Sequence, residues 1–208
     1  MNTKPADKRA RILEAAVKVF ARSGFFTATV AEIAREAGVA DGTIYLYFKG
    51  KEDLLLRLVH EKMAELLAQV KDAVEAEKDA PAKLTKFITL HLSLVEKNPE
   101  LAQVLIVELR RSAQVIRGPE REALVAYLEL LAQVVRDGQA SGELDRDVSP
   151  ATVKRAVFGA LDELALGWLL SNRKTTLKKT AGEVAQFFVR GLLPLSGSRK
   201  QSNGSNHL

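Results

Sequence analysis

The chain has no cysteine, few aromatic residues (6%), only three histidines and no long uninterrupted apolar run. Without cysteine, a disulfide framework and a thiolate metal site are excluded. Without a long apolar run, neither a signal peptide nor a membrane-spanning helix is predicted. We therefore expect a cytoplasmic protein that makes no membrane contact.

The histidines are His60, His91 and His207, and none stands at metal-ligand spacing from another or beside a nucleophile motif. His91 falls on an apolar stripe, where a hydrogen-bonded core residue is expected more often than a catalyst. A glycine-rich phosphate-binding loop is also absent. These absences argue against an enzyme, a metal site and a bound cofactor.

The composition instead indicates a helical protein with a full core and a mildly basic character. Hydrophobic residues make up 47% of the 208 positions, and the formal net charge is +5. Helical periodicity runs along the chain and strand alternation is absent, which predicts an all-α fold. Basic residues outnumber acidic ones in residues 1–51, so most of the positive excess lies at the N-terminus, where it suits a polyanionic partner.

Residues 29–51 have the pattern of a short helix, a tight turn and a second short helix. Thr29 and Glu32 stand at the spacing of a capping box. Gly38 marks the end of the first helix, because glycine adopts the left-handed conformation without strain. The second helix is predicted over residues 41–48. This is the form of a helix-turn-helix motif, which places its second helix in the major groove of DNA.

The second helix divides into an apolar back and a polar front. Ile44 and Phe48 lie four residues apart on one side and are expected to pack inward. Gly42 permits close approach, Thr43 offers a hydroxyl and a methyl to a base edge, and tyrosine hydroxyls reach phosphates. Lys51 falls in the first turn of the next helix, where amides and the helix dipole favour an anion. The predicted DNA-binding residues are Thr29, Val30, Asp41, Gly42, Thr43, Tyr45, Tyr47 and Lys51.

Residues 8–60 resemble the DNA-binding domain of the TetR family of bacterial repressors, which implies a regulator that binds double-stranded operator DNA. One departure is Ala40, which stands where the family often has a serine cap. Alanine cannot cap a helix, so Asp41 is expected to cap instead, which would draw its carboxylate away from DNA. The resemblance rests on Ile12-Leu13-Glu14-Ala15-Ala16, Phe20, Gly24-Phe25, Thr29-Val30, Ile33-Ala34, Ala37-Gly38-Val39, the run Gly42 to Phe48 and the run Lys51 to Leu55.

The rest of the chain is predicted to form a helical body. We expect an N-terminal three-helix DNA-binding domain at residues 1–51, a ligand-binding and dimerisation domain at 52–195, and a disordered tail at 196–208, which is rich in Gly, Ser and Asn. Beyond the head, helices are predicted over residues 51–78, 81–97, 100–113, 120–138, 150–171 and 176–193.

Apolar stripes on the last two helices predict a homodimer, with burial inside one monomer as the alternative. Each of these helices is apolar on more than one side and so needs more than one partner. A two-fold dimer would hold two DNA-binding heads about 34 Å apart, which predicts a near-palindromic operator. The stripes are Val153, Val157, Ala160, Leu161, Leu164 and Trp168 on one helix, and Leu177, Ala181, Val184, Phe188 and Leu192 on the other.

An elongated apolar tunnel in the body is a candidate effector site, with ordinary core packing as the alternative. Of Asp162 and Glu163, one is expected at the surface and the other beside a cavity or a cation, because a buried unpaired carboxylate is costly. A run of arginines at 110, 111, 117 and 121 offers bidentate donors for phosphates, with a solvated face as its alternative. The predicted ligand-binding residues are Phe87, His91, Leu94, Leu105, Leu109, Arg110, Arg111, Phe158, Leu161, Asp162, Ala165 and Trp168.

The runs Glu108 to Ser112 and Phe158 to Glu163, together with Gly38 to Leu55, resemble a narrower TetR-type group, the FadR regulators of fatty-acid degradation. That resemblance implies a repressor of β-oxidation genes that leaves DNA when long-chain acyl-CoA binds. Each buried methylene contributes about 0.8 kcal/mol, so chain length can be discriminated. The residues alone leave the direction of the effect open. They also leave open a TetR-like repressor of an efflux pump that senses amphipathic drugs, although the low aromatic content disfavours it.

Overall fold

The computed structural model describes residues 5–108, 121–171 and 175–194. Within these ranges the chain contains helices and no strand, which confirms the all-α prediction. None of the described helices is long and apolar enough to cross a membrane. The helices are α1 (Pro5–Ser23), α2 (Val30–Ala37), α3 (Asp41–Ile44), α4 (Lys51–Glu75), α5 (Ala80–Lys97), α6 (Pro99–Gln103), a π-helical segment (Val104–Glu108), α7 (Arg121–Ser141), α8 (Pro150–Leu170) and α9 (Lys178–Leu192).

The N-terminal helices form a small head around an apolar core. Helix α1 packs against α2 and α4, and α2 packs against α3. Phe20, Ile33, Ile44 and Leu54 are completely buried where these helices meet. Because α4 contributes to this core and also packs on α5 and α7, it connects the head to the body directly.

Helix α5 is the central helix of the body, in contact with α4, α7, α8 and α9. It begins where predicted: the Asp79 carboxylate accepts a hydrogen bond from the amide of Ala82 at 2.8 Å, and Pro81 occupies the first turn. Near this start α7 comes very close, because a Cβ at Gly138 would lie 2.5 Å from the Cβ of Ala80. The missing side chain is therefore what allows the two helices to meet.

The second helix of the motif is shorter than the predicted span of 41–48. Helix α3 ends at Ile44, and the chain continues in tight turns in which the amides of Tyr47 and Phe48 both bond to the Ile44 carbonyl at 3.0 Å. Such turns are common at helix ends, and apolar spacing does not distinguish them from an α-helix. The predicted capping by Asp41 is wrong, because the cap position is Ala40 and no side chain caps α3.

The single helix predicted over residues 100–113 is also wrong as far as the structure describes it. Helix α6 ends at Gln103 and a π-helical segment follows. Both pack against α1 of the head and against α8 of the body, so this irregular segment lies between the two regions. Residues 109–113 and the predicted disordered tail at 196–208 lie outside the described residues.

The apolar stripes predicted to face a second subunit are mostly covered by the chain itself. A pattern of apolar residues shows that a face is covered but does not show by what. The exposed apolar side chains of the last two helices lie elsewhere, notably Leu170 at 71% and Phe187 at 73% exposure. The stripe residues buried within the chain are Val153, Val157, Leu161, Trp168, Leu177, Ala181 and Leu192.

Candidate DNA-binding surface and effector site

Helix α2 begins at a complete capping box and ends at a left-handed glycine, as predicted. The Thr29 hydroxyl accepts from the Glu32 amide at 3.2 Å, while the Glu32 carboxylate accepts from the Thr29 amide at 2.8 Å and its hydroxyl at 3.0 Å. The bonds from the Thr29 backbone and side chain lower the pKa of Glu32. Gly38 has φ of 64°. Because the cap uses both donors of Thr29, we expect Thr29 to position α2 instead of donating to phosphate.

The front of α3 and the turn after it is open and partly apolar. Tyr45 is 60% exposed and Leu46 is 80% exposed. A Cβ at Gly42 would meet no atom within 4 Å, so nothing in the described chain blocks close approach there. Ile44 and Phe48 are buried behind this surface, which confirms the predicted division into an apolar back and an accessible front.

Four further predicted DNA-binding residues keep accessible surface on the head. Asp41 is exposed, and Val30, Thr43 and Tyr47 are half-buried. Since Asp41 does not cap α3, its carboxylate is available at the front of the helix. Direct DNA contact by these residues stays a prediction.

An open cleft of about 370 Å³ borders this surface, between the turn after α3 and the start of α4. The Asp53 carboxylate accepts bonds from the Lys49 amide at 2.9 Å and from Arg57 Nε at 3.4 Å. These bonds, the Lys49 amide first, lower the pKa of Asp53. Lys49 is exposed beside the tyrosines, so the cleft can accept an anionic strand. Its lining consists of Arg9, Tyr45, Leu46, Tyr47, Phe48, Lys49, Asp53 and Arg57.

Lys51 has a structural role that the sequence does not reveal. Its ammonium donates to the carbonyls of Phe26 at 3.0 Å and Ala28 at 2.9 Å, and it lies 4.8 Å from the ring centroid of Phe25. These contacts hold the loop before α2 against the start of α4. Two of the three ammonium donors are therefore used within the protein, and one is left for the predicted phosphate contact.

Two arginines of α1 fasten the motif to the rest of the head. The Arg9 guanidinium forms a two-point ion pair with Glu61 of α4 and lies 5.4 Å from the ring centroid of Phe48. The bond from Arg9 lowers the pKa of Glu61. Arg11 donates to the carbonyls of Ala37 and Gly38 at the end of α2. The orientation of α2 and α3 thus depends on α1 and α4.

In the body, an aromatic cluster brings together residues of α5, α7 and α8. The His91 ring is stacked with Phe87 at 6.5 Å between centroids and meets Phe158 edge-on at 6.1 Å. Tyr127 lies 5.2 Å from Phe87, and its hydroxyl is 2.9 Å from His91 Nδ1. Phe87, His91 and Phe158 were predicted as ligand-binding residues, and the structure places them together.

The remaining predicted ligand-binding residues, apart from Asp162 and Trp168, divide into three groups. Leu94, Leu161 and Ala165 are buried, while Leu105 in the π-helical segment is half-buried. Leu109, Arg110 and Arg111, with Arg117 of the same basic run, lie outside the described residues, as does the side chain of Arg121. The binding of a ligand by any of these residues stays a prediction.

Helix α8 separates its two adjacent carboxylates as expected. Asp162 is buried at 8% exposure and interacts within the protein, whereas Glu163 is exposed. Trp168, two turns further along, is 7% exposed and donates from Nε1 to the Thr175 carbonyl at 2.6 Å. The Asp162 carboxylate and the Trp168 indole are therefore both buried within the protein, and ligand binding by either stays a prediction.

Sequence reasoning missed two residues that the structure brings to these surfaces. Leu46 stands between the tyrosines and projects from the head, and its exposed position could be read from the buried spacing of Ile44 and Phe48. Tyr127 lies on the inner face of α7, and its only signal in the sequence is a hydroxyl within the mostly apolar stretch from Leu124 to Leu131. The described residues contain no group of acidic or histidine side chains that could hold a metal ion.

Comparison with known proteins connects both regions to regulators. Residues 12–58 match the model of bacterial regulatory proteins, tetR family, and residues 59–191 match the C-terminal region of YsiA-like protein. The chain is 36% identical over 185 residues to the fatty acid metabolism regulator protein of Bacillus subtilis strain 168, covering 89% of this chain and 95% of that relative.

Solved structures of regulators are also similar to this chain. The Bacillus subtilis transcriptional regulator FadR, solved in complex with stearoyl-CoA, has a TM-score of 0.82 at 36% identity, covering 88% of this chain and 98% of that one. The fatty acid degradation regulator FadR of Bacillus halodurans also has a TM-score of 0.82, at 34% identity and the same coverage. These relatives are regulators, and the chain belongs to the TetR family of bacterial regulatory proteins.

Proposed function

We propose that this protein represses genes of fatty-acid degradation and leaves its operator when long-chain acyl-CoA binds the body. The observation that carries the proposal is the similarity to FadR of Bacillus subtilis, which was solved with stearoyl-CoA and matches nearly the whole of this chain. The geometry of the head and the body supports the two halves of the proposal separately.

The head has the features that operator binding requires. The open front at Gly42, Thr43 and Tyr45 is backed by buried apolar residues, so a rigid surface faces the groove. Lys49 and the start of α4 border the same surface and offer positive charge to the phosphates. Leu46, 80% exposed, adds an apolar contact suited to a thymine methyl.

The body has an interior suited to an acyl chain. Buried and half-buried apolar side chains from α5, the π-helical segment and α8 belong to the same hydrophobic core as the aromatic cluster at His91. An acyl chain placed there gains about 0.8 kcal/mol for each buried methylene. The phosphates of CoA need cationic partners, for which the arginines at 110 and 111 are our candidates from the sequence.

Operator binding of this type uses two heads, so we propose a homodimer through α8 and α9. The faces available for it are the ones that the chain leaves exposed, around Leu170 and Phe187. Gly159, Gly167 and Gly191 lie on the same two helices, and a Cβ at any of them would meet no atom within 4 Å. Flat surfaces of this kind allow helices of two subunits to approach closely.

The contact of α6 and the π-helical segment with α1 offers a direct route between the two functions. Ligand releases DNA only if it prefers a body conformation in which the two heads no longer match the groove spacing. A ligand that displaces the π-helical segment would act on α1, and through its Arg9 and Arg11 contacts on α2 and α3. Helix α4, fixed to α1 by Glu61, is the second connection.

The proposed binding of acyl-CoA can be tested by titrating the protein with ligand and following its tryptophan fluorescence. Trp168 is the chain's single tryptophan and is buried on α8. The sequence predicts it as a ligand-binding residue, so its fluorescence is a label-free probe of ligand binding. We expect a saturable change with palmitoyl-CoA at micromolar or lower concentration, and none with free CoA. A response to a hydrophobic cationic drug but not to palmitoyl-CoA would replace the acyl-CoA proposal with the efflux-pump alternative.

A further inference from the structure

The side chain of His91 is packed among other side chains but is not completely buried. Protein side chains pack around the ring, and this burial lowers the pKa of His91 to about 4. The residue nevertheless keeps accessible surface. Side chains from three helices contact the ring: Phe87 of α5, Phe158 of α8 and Tyr127 of α7.

One nitrogen of the ring is free to contact a ligand. Nδ1 is occupied by the Tyr127 hydroxyl at 2.9 Å, whereas Nε2 makes no hydrogen bond to the described residues. Within the same residues, no buried side-chain nitrogen or oxygen lacks a hydrogen-bond partner. Nε2 therefore keeps accessible surface, through which a ligand atom can reach it.

Two aromatic side chains pack against the His91 imidazole: Phe87 stacks on the ring and Phe158 meets it edge-on. In such a setting a donor that meets no acceptor is unfavourable, so a ligand that brings one acceptor to this position is selected over a ligand that brings none.

We infer that the Nε2–H group of His91, oriented by Tyr127, binds the thioester carbonyl oxygen of the acyl-CoA effector. The inference rests on the proposed function and assigns its polar contact. A carbonyl oxygen only accepts, so Nε2 must carry the proton, and Nδ1 must then accept from the Tyr127 hydroxyl. Hydrogen bonds in such a chain strengthen one another. The neutral ring and the protonated phenol are the forms that this arrangement requires.

This hydrogen bond would fix the position of the acyl chain along an apolar binding site. Apolar walls hold a chain of methylenes at any position along its length, because the hydrophobic effect has no direction. A single donor fixes the carbonyl, and the chain length is then measured from that point. His91 would be the residue that sets the register of the acyl chain.

The test compares two ligands on three proteins. Palmitoyl-CoA and its thioether analogue hexadecyl-CoA differ at the carbonyl, and both are titrated by calorimetry against the wild type, His91→Leu and Tyr127→Phe. We expect the wild type to prefer the thioester by about tenfold or more, since one buried hydrogen bond is at stake. His91→Leu should lose the preference, and Tyr127→Phe, which changes no packing volume, should reduce it.

The control is His60→Gln, which changes an exposed histidine of α4 and should keep the full preference. An unchanged preference in both His91→Leu and Tyr127→Phe, with helical circular dichroism preserved, would overturn the carbonyl contact while leaving acyl-CoA as the effector. Equal affinity of the wild type for both ligands would do the same. A wild type that binds neither ligand would instead overturn the proposed function.

Discussion

The ammonium of Lys51 donates a hydrogen bond to the carbonyl oxygen of Ala28 at 2.9 Å, joining the start of α4 to the loop before α2. The contact crosses 23 positions of the sequence and fixes the entry of the chain into the DNA-binding motif. Lys51 therefore stabilises the head, independently of any contact that it makes with DNA phosphates.

Lys51→Ala should therefore lower both stability and DNA affinity, whereas Lys49→Ala should lower affinity alone. We expect the free energy of unfolding of Lys51→Ala to fall by about 1–2 kcal/mol, because two bonds from a charged donor are lost. Lys49 is exposed, so its removal should change stability by less than about 0.5 kcal/mol. Urea unfolding and the salt dependence of operator binding measure the two effects. Equal stability losses would show that Lys51 does not anchor the loop.

Thr43→Ala should weaken binding to the operator more than binding to unrelated DNA. The threonine hydroxyl and methyl lie on the accessible front of α3, where a base contact is worth about 1–3 kcal/mol. Fluorescence anisotropy with both DNAs gives the ratio, and Thr85→Ala on the exposed side of α5 is the matched control. A parallel loss on both DNAs would reassign Thr43 to the phosphate backbone.

His91 should make the protein less stable in mild acid. The unfolded chain binds a proton at this histidine below about pH 6.5, but the folded protein does so only near pH 4. Its neutral form therefore stabilises the fold above this window, and the contribution falls as pH drops through it, by about 2 kcal/mol at pH 5. Urea unfolding at pH 5 and 7.5 should show this loss in the wild type and a smaller one in His91→Leu. Equal losses in the two proteins would show that His91 titrates normally in the folded state.

Gly138→Ala should destabilise the body, since the new Cβ would lie 2.5 Å from Ala80 and 2.7 Å from Leu144. Overpacking of this kind costs about 1–3 kcal/mol. Gly182→Ala is the control on α9, where a Cβ meets no atom within 4 Å and the higher helix propensity of alanine should stabilise slightly. Thermal unfolding of both variants measures the change in stability. A Gly138→Ala protein as stable as the wild type would contradict the close approach of α5 and α7.

Phe187→Glu should convert dimers to monomers, because it places a charge in the middle of the proposed interface. The side chain is 73% exposed in the single chain, so the monomer itself should keep its helical content. Sedimentation equilibrium over a range of concentrations measures the mass. Phe26→Glu, at an exposed phenylalanine of the head, is the control. A Phe187→Glu protein that dimerises like the wild type would place the interface elsewhere.

The features that the sequence predicts well are those determined by neighbouring residues. The capping box at Thr29 and Glu32, the left-handed Gly38 and the start of α5 next to Pro81 each depend on contacts within about four positions. The inward faces of Ile44 and Phe48 follow from helical spacing for the same reason. Such features need no knowledge of the rest of the fold.

The features that the sequence misses depend on contacts between distant segments. The carbonyl partners of Lys51 and the pairing of His91 with Tyr127 join residues 23 and 36 positions apart. The stripe on α8 shows the same limit, because apolar periodicity predicts that Val157 and Leu161 are covered but does not say whether α7 and α5 or a second subunit covers them.

The most direct test of the central claim is the dissociation constant for DNA from the chain's own upstream region, measured at increasing palmitoyl-CoA at fixed salt. We predict specific binding without ligand and a progressive loss of affinity as palmitoyl-CoA saturates the protein, with no change for free CoA. An operator affinity that stays constant across saturating palmitoyl-CoA would contradict the account, since the ligand would then not distinguish the DNA-binding conformation from any other.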